Sequence, residues 1–441
     1  MNIEQLKELL RENGIVGAGG AGFPTYAKMD KHADTIILNC AECEPLLRLH
    51  RQVLKMFTYE ILSTLNEISK ILEVKTVYIG IKGSYKRTLA AVEAEISSFE
   101  NMKICTLPEV YPAGDEVVLT YEATGRVVPA GQIPLSVGVT VLNAETVYNI
   151  YKAMNGQPVT HKYVTVTGEV KSPVTVYAPI GTPIQKLIDM AGGVTISDPA
   201  YIMGGPMMGR LGVPTETVTK TSNAVLVLPK NMPLVQKKLS KTTIDIRRAM
   251  SSCCQCSYCT SLCPRNLLGH PIDPSAFMLS VAHSVTSDTA PYLNSMYCSG
   301  CGLCELYSCT QGLSPRSLLA AAKSGLRANG IKPIEPPVTK EVSDVRKLRM
   351  IPLSRLRSRL GLDPYNKSAP ISEEQIKPKK LKIALSQHIG APSVPVVKKG
   401  DKVEANQMIA AAMENALSVA VHTPYGGTVT DINAKFITIT L

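Results

Sequence analysis

"CCQCSYCTSLCPRN", residues 253–266, places five cysteines within eleven residues, and "CSGCGLCELYSCTQG", residues 298–312, adds four more. The two runs hold nine of the twelve cysteines of a 441-residue chain. In a chain whose first residues carry acids and lack a cleavable apolar core, clustered thiols point to metal or redox chemistry in a reducing compartment, not to disulfides. The expected location is the cytoplasm. Those first residues, "MNIEQLKELLRENG", read as a short amphipathic helix with Ile3, Leu6, Leu9 and Leu10 inward and a stop at Asn13-Gly14.

Cys253, Cys256, Cys259 and Cys263 form C-x2-C-x2-C-x3-C, followed by Pro264. This resembles the cysteine run of bacterial two-cluster ferredoxins, in which three thiolates hold three corners of one cubane and the fourth reaches the other cluster. Soft, deprotonated sulfur suits the iron of such clusters. Cys298, Cys301, Cys304 and Cys309 form C-x2-C-x2-C-x4-C, one residue longer and with Thr310 in the place of proline. The ferredoxin resemblance implies a crossed pairing. Cys253, Cys256, Cys259 and Cys309 would hold one 4Fe–4S cluster, and Cys263, Cys298, Cys301 and Cys304 the other. Two zinc sites are the alternative, since C-x2-C pairs also occur in them. Cys254 is expected to point away from the cluster. Cys40 and Cys43 form a lone C-x2-C, open to a packing or a redox reading, and Cys105 sits in an apolar strand.

The length allows about three domains. A hydrophobic content of 45% and a mean hydropathy of +0.07 give ample material for cores. No window approaches the roughly 20 apolar residues of a membrane-spanning helix, so no transmembrane segment is expected. The net charge of +11 is concentrated in "KKLSKTTIDIRR", "RKLRMIPLSRLRSR" and "KPKKLK". With no Trp and few Phe to stack on bases, no nucleic acid is expected; docking to an acidic partner or plain solvation suits these runs better.

Outward from the cysteines, apolar strands alternate with helical stretches between residues 34 and 141: "DTIILNC", one long helix over "HRQVLKMFTYEILSTLNEISKIL", "VKTVYIGIKG", "YKRTLAAVEAEISSF", "MKICTLP" and "VGVTVLNAET". That alternation predicts an α/β layer with a mainly parallel sheet. A β-grasp-like module follows. Residues 331–376 lack sustained periodicity and read as a surface linker, and the tail is short strands and glycine turns, a compact β module.

"GIVGAGGAGFPTYAKM", residues 14–29, lets the backbone approach a flat ring or phosphate. "LNCAECEP" and "VLNAETV" end strands with polar residues, where open α/β sheets bind ligands. The glycine loop, a strand and NxAExEP resemble the flavin- and NADH-binding subunit of respiratory complex I, and still more the C subunit of Rnf electron-transport complexes. With its β module at the C-terminus, the chain is most similar to the cobalamin reductases of propanediol-utilisation microcompartments.

These resemblances imply a multidomain α/β protein. Its parts are a Rossmann-like FMN/NADH-binding domain (1–155), an SLBB β-grasp module (156–235), a two-cluster ferredoxin-type domain (240–330), a linker (331–376) and a barrel-sandwich hybrid (377–441). They imply an NADH-dependent oxidoreductase passing electrons through FMN and two 4Fe–4S clusters to a corrinoid. An adenosyltransferase and microcompartment shell proteins are the expected partners, and a microcompartment the expected place. The rival reading is a peripheral subunit of a membrane electron-transport complex.

Carried over by position, the implied flavin residues are Gly17, Gly19, Gly20, Gly22, Phe23 and Lys28 on the loop, and Asn39, Glu42, Glu44 and Pro45 on the acidic turn. Gly114, Asp115 and Glu116 follow from "YPAGDE", and Asn143, Glu145 and Thr146 from the third turn. The flavin carries the chemistry, so no general acid or base is assigned. The tail's carrier-type turn offers Met413, Glu414 and Asn415 but no lysine, and a docking or structural role is expected of it. His270 is expected to be structural.

Overall fold

The first helix, α1 (Ile3–Glu12), starts at a capping box in which Asn2 and Gln5 exchange side-chain and backbone hydrogen bonds. It buries Leu6 and Leu10 and ends before Gly14, whose φ of +72° suits glycine. A computed structural model describes residues 1–333 and 340–441. After α1 the chain alternates through β1 (Thr35–Cys40), α2 (Leu49–Met56), α3 (Thr58–Leu72), β2 (Thr76–Lys82), α4 (Lys86–Ile96), β3 (Met102–Leu107), a short β4 (Val110–Tyr111), α5 (Glu116–Thr124), β5 (Val139–Asn143) and α6 (Ala144–Met154).

Four of these strands form a parallel sheet in the order β3-β2-β1-β5. Period-two alternation sends Ile36 and Leu38 into the core shared with α1, α2, α3 and α6, and Ile37, Val139 and Val141 into the core with Leu119 of α5. Both faces are thus covered, as a parallel sheet requires. The strand order reverses between β1 and β5, and their carboxyl ends open a crevice there.

The long helix expected from residue 50 to 72 is two helices. Phe57, with φ −127°, breaks it, and its ring stacks on Tyr148 of α6 at 3.9 Å. That tertiary contact sets the break; an apolar count along the chain cannot show it.

Next come β6 (His161–Gly168), β7 (Val174–Pro179), α7 (Ile184–Met190), β8 (Pro199–Met203), β9 (Arg210–Gly212) and β10 (Ala224–Pro229), in a five-stranded sheet ordered β7-β6-β10-β8-β9. The cysteine region is helical: α8 (Pro233–Leu239), α9 (Thr242–Ser252), α10 (Tyr258–Ser261), α11 (Pro274–His283), α12 (Ala290–Asn294) and α13 (Pro315–Ala328), with most thiols on the connections, Cys259 within α10 and Cys304 opening a π-helical turn (Cys304–Ser308).

The stretch expected as a surface linker differs from that expectation where it is described; residues 334–339 of it lie outside the described residues. A strand β11 (Ile351–Pro352) pairs antiparallel with β4, and α14 (Leu353–Arg359) follows directly. Ile351, Leu356, Leu360 and Leu362 are buried in a core shared with Tyr111, Met207 and Leu303. Two-residue and seven-residue elements are too short to show a period. Their burial is decided by the partners already in place.

The tail forms β12 (Lys380–Ala384), β13 (Val394–Pro395), β14 (Lys402–Val403), β15 (Met408–Ala411), β16 (Val421–His422), β17 (Gly427–Ile432) and β18 (Phe436–Thr440). They build two small sheets, β12-β18-β17-β14 and β13-β15-β16. The turn at Met413–Asn415 follows β15, and Arg11 of α1 donates to the Met413 carbonyl at 2.7 Å. The buried Lys220 ammonium donates to Gly14 O at 2.8 Å and to Ala420 O at 2.6 Å, tying three modules together. Burial pushes this lysine down to about 7.

Candidate functional site

The loop after α1 closes on itself: Gly17 N donates to Phe23 O at 2.9 Å, and Val16 bridges Pro24. Gly20 and Gly22 sit at φ +67° and +70°, where an L side chain is strained. A Cβ on Gly20 would point into open space, and one on Gly19 would stop 3.1 Å from the Asn223 amide nitrogen. Ala18 N donates to Thr146 Oγ1 at 2.9 Å, which pins the loop to the start of α6.

The loop roofs a cavity of about 550 Å³ at the carboxyl ends of β1 and β5, a size typical of small-molecule sites. Of the expected flavin residues, Gly17, Gly19, Gly20, Phe23 and Lys28 line it, as do Asn39, Glu42 and Glu44. Gly114, Asp115, Glu116, Asn143 and Thr146 complete the set that the fold brings together.

Three expected residues are not brought to the cavity. Gly22 is buried away from the cavity against the second and last modules, where a Cβ would lie 2.6 Å from Thr221 Cγ2 and 3.2 Å from His388 Cα. Pro45 is buried behind the acidic turn. Glu145 turns the other way: its carboxylate accepts from the buried Lys162 ammonium and, at 3.1 Å, from Tyr163 N. It stands two residues after Asn143 in the chain, but the first turn of α6 sends the two side chains in different directions. Glu145 therefore fastens the parallel sheet's helix layer to β6.

The acidic residues are already engaged. Glu42 accepts from His50 N at 2.6 Å, at the first turn of α2, with Arg51 Nε 3.6 Å away. Burial raises its carboxyl, and Arg51 and the helix N–H groups oppose that rise. Glu44 accepts 2.8 Å bonds from Met207 N and Met208 N, and a Cβ on Gly205 would collide with it at 2.3 Å. This accounts for the "MGGPMMGR" loop: glycine there lets backbone N–H groups close on a carboxylate. Lys28 pairs with Glu116 at 2.7 Å, and Asp115 caps α5 while taking Arg265 at 2.8 and 2.9 Å.

Residues that sequence reasoning missed also line the cavity: His50, Met208, Asn223, Arg265 and Ile389 among them. Asn143 Nδ2 donates to the His50 ring at 3.1 Å, and burial pushes this imidazole down to about 3. Asn223 and Ile389 come from the second and last modules, so no local spacing could have found them. Ile389 N also donates to Ala21 O at 3.1 Å, so the tail buttresses the glycine loop.

The donor set fits a flavin. The wall offers backbone close to open space at Gly20, an apolar flank of Ile133, Pro134 and Leu135, and the buried Asn223 Oδ1, an acceptor with no partner. A flavin ring N–H is a suitable donor for it.

Two smaller cavities hold the cysteines. Cys263, Cys298, Cys301 and Cys304 line one; Cys253, Cys256, Cys259 and Cys309 line the other. This is the grouping that the ferredoxin resemblance implies. Each group of four thiols lines a small space of its own, an arrangement that suits the corners of a cubane. N–H groups point at sulfur: Gly300 N to Cys298 Sγ at 3.3 Å and Leu313 N to Cys309 Sγ at 3.2 Å. Such bonds tune cluster potential. Burial pushes the thiols of Cys259, Cys263 and Cys301 up to about 12, so thiolate there depends on the charge of bound iron.

Cys254 departs from expectation. It is exposed, yet it lies on the rim of the second cavity instead of pointing away. Cys40 is buried in the core, and Cys43 reaches the large cavity. Cys105 packs partly buried beside Ile37 and Leu107. His270 is buried, with Nε2 donating to Val128 O at 2.9 Å, a structural contact.

The cavities adjoin. Arg265, Ser299 and Cys301 line both the large cavity and the cavity of Cys263, Cys298, Cys301 and Cys304. Tyr111 OH donates to Cys301 O at 2.6 Å and holds that wall.

Comparison with known proteins agrees with these parts. Residues 10–152 match the Nuo51 FMN-binding domain, 163–211 the SLBB domain, 252–314 a 4Fe-4S dicluster domain and 361–440 the RnfC barrel sandwich hybrid domain. The cofactors are thus FMN and 4Fe–4S, and the chain is an oxidoreductase that transfers electrons. No helix among the described residues is long and apolar enough to cross a membrane. The C subunit of the ion-translocating oxidoreductase complex of Edwardsiella ictaluri is 36% identical over 269 residues, 59% of this chain and 32% of that protein. Cobalamin reductase PduS of Citrobacter freundii is 36% identical over 438 residues, 99% of this chain and 96% of the relative. The Salmonella typhimurium PduS is 35% identical over 444 residues, 100% of this chain and 97% of the relative. Related along its whole length and carrying each of these domains, the chain belongs to the PduS cobalamin reductase family.

Proposed function

We propose that this chain takes reducing equivalents from NADH at the 550 Å³ cavity and delivers them one at a time, through the two cysteine cavities, to a corrinoid. The observation that carries this reading is the wall shared at Cys301, Arg265 and Ser299. When bound, FMN accepts a hydride and releases electrons singly, and 4Fe–4S clusters pass them on. The electron count is NADH plus two cobalt(III) giving NAD⁺, a proton and two cobalt(II).

The residues assigned to FMN are those of the glycine loop and the three strand-end turns that line the cavity, with Asn223 added and Gly22, Pro45 and Glu145 omitted. Their work is to bind and orient. The glycines admit the ring, Thr146 fixes the loop, and neutral His50 beside Asn143 adds no charge. The eight cysteines are assigned as cluster ligands in the two groups above. The five sequence divisions stand as the proposed domains, with residues 351–362 of the expected linker reassigned as a packed strap. A microcompartment setting, an adenosyltransferase and shell proteins are proposed from the relatives.

The test is anaerobic preparation of the whole chain with iron, sulfide and acid-released flavin quantified, then NADH and hydroxocobalamin. We expect both cofactors and the cobalt(II) spectrum. Dye reduction without corrinoid reduction, or zinc in place of iron, would defeat the reading.

A further inference from the structure

An open groove of about 660 Å³ lies on the side of the second cysteine cavity. The two share Thr310 as a wall, next to the cluster ligand Cys309. Tyr258 and Tyr307 give the groove flat aromatic faces, and Arg349, Arg355 and Arg359 give it charge. Among the described residues no carboxylate lines it.

The arginines come from the strap first read as a linker, and their mounting is rigid. Leu353 N donates to Glu109 O at 2.9 Å, β11 pairs with β4, and Leu356 on the inner face of α14 is wholly buried. Arg355 and Arg359 lie one turn apart on α14, so they project on the same side. Their neighbours are neutralised: Arg346 pairs with Glu122, and Arg357 with Asp363 at 2.6 Å. Among the described residues, Arg349, Arg355 and Arg359 have no carboxylate within ion-pair distance. Three exposed guanidinium groups line this one groove without counter-charge among the described residues, which makes it a positive surface. An anion is attracted to such a surface, and the planar fork of arginine matches phosphate oxygens two at a time.

We propose that this groove is the docking site of the electron acceptor, a phosphate-bearing small molecule whose phosphate lies among Arg349, Arg355 and Arg359 and whose flat macrocycle lies against Tyr258 and Tyr307. The proposal rests on the corrinoid reading above, because cobalamin carries a phosphodiester in its nucleotide loop. It places the acceptor beside the thiol group of Cys253, Cys256, Cys259 and Cys309, at the end of the path away from the flavin cavity.

The test uses the cofactor-loaded chain and two probes: cobalamin, and cobinamide, which lacks the nucleotide loop and its phosphate. Equilibrium dialysis gives a dissociation constant for each, and steady-state reduction by NADH gives a KM for each. The native chain is expected to prefer cobalamin. In the Arg355→Glu/Arg359→Glu double variant cobalamin binding weakens by about tenfold, discounted for exposure, and the preference falls to near unity. Arg349→Gln gives a smaller loss in the same direction. Raised salt weakens cobalamin binding to the native chain more than cobinamide binding.

If the native chain reduces both corrinoids and the double variant keeps the native preference, the groove is not the phosphate site, whether or not an acidic protein occupies it. The proposed function then survives. If the native chain binds and reduces neither corrinoid, both ideas fail.

Discussion

The two cysteine cavities use the same ligand chemistry in opposite surroundings. One holds Cys301 and Cys304, both buried, and shares its wall with the large cavity proposed for FMN. The other holds Cys256, exposed, and shares Thr310 with an arginine-lined groove at the surface. Each takes three thiols from one run and a fourth from the other, so neither forms without both loops. What separates them is where the rest of the fold has been laid. The SLBB loop at Met207 and the strap at Ile351 seal the first, and solvent reaches the second. An electron path between a buried donor and an external acceptor needs one end of each kind.

The largest effect should come from cutting the path at either end. Cys301→Ala is expected to lower iron and sulfide by about half and abolish corrinoid reduction, leaving the second cluster oxidised when NADH is added. Cys256→Ala should lose a similar amount of iron, keep bound FMN near the native level and leave the remaining cluster reducible by NADH. Low-temperature electron paramagnetic resonance after NADH addition separates the two. If both variants retain an NADH-reducible cluster, the proposed order of the cavities is wrong.

A second substitution tests the separation of flavin from thiols. Gly20→Val places a branched side chain at φ +67° and into the cavity's open space. The strain alone is on the order of 1–2 kcal/mol. Acid-released FMN is expected to fall to a small fraction of native while iron stays unchanged; retained flavin would count against the loop as its site.

The smallest effect is expected at Cys254. It is exposed on the rim of the second cavity, where Cys253, Cys256, Cys259 and Cys309 already provide four thiols. Cys254→Ser should leave iron, sulfide and corrinoid reduction as they are. A loss of iron there would show that the rim thiol serves as a ligand and would reopen the grouping.

Much of the site was legible because its signals are local. Two C-x2-C-x2-C runs, a glycine loop and polar turns after β1 and β5 are each written within a few residues. Side-chain direction was harder to read. Glu145 stands two residues after Asn143, yet it pairs with Lys162 while Asn143 faces the cavity. Asn223 and Ile389 reach the cavity from other modules, and the only mark of either lies in the fold. The strap's arginines were visible as a charge run, but a charge run does not say which of its members will find carboxylates.

By itself the amino-acid order determined the alternation of strands and helices in the first domain and the cofactor class, because helix and strand periods, glycine backbone freedom and soft-ligand spacing act over a few residues. Tertiary structure alone decided which thiols and cations remain at the surface, which cavity abuts the flavin wall, and that residues 351–359 form a packed strap. Burial and charge neutralisation depend on what arrives from distant parts of the chain, and no local pattern encodes that arrival.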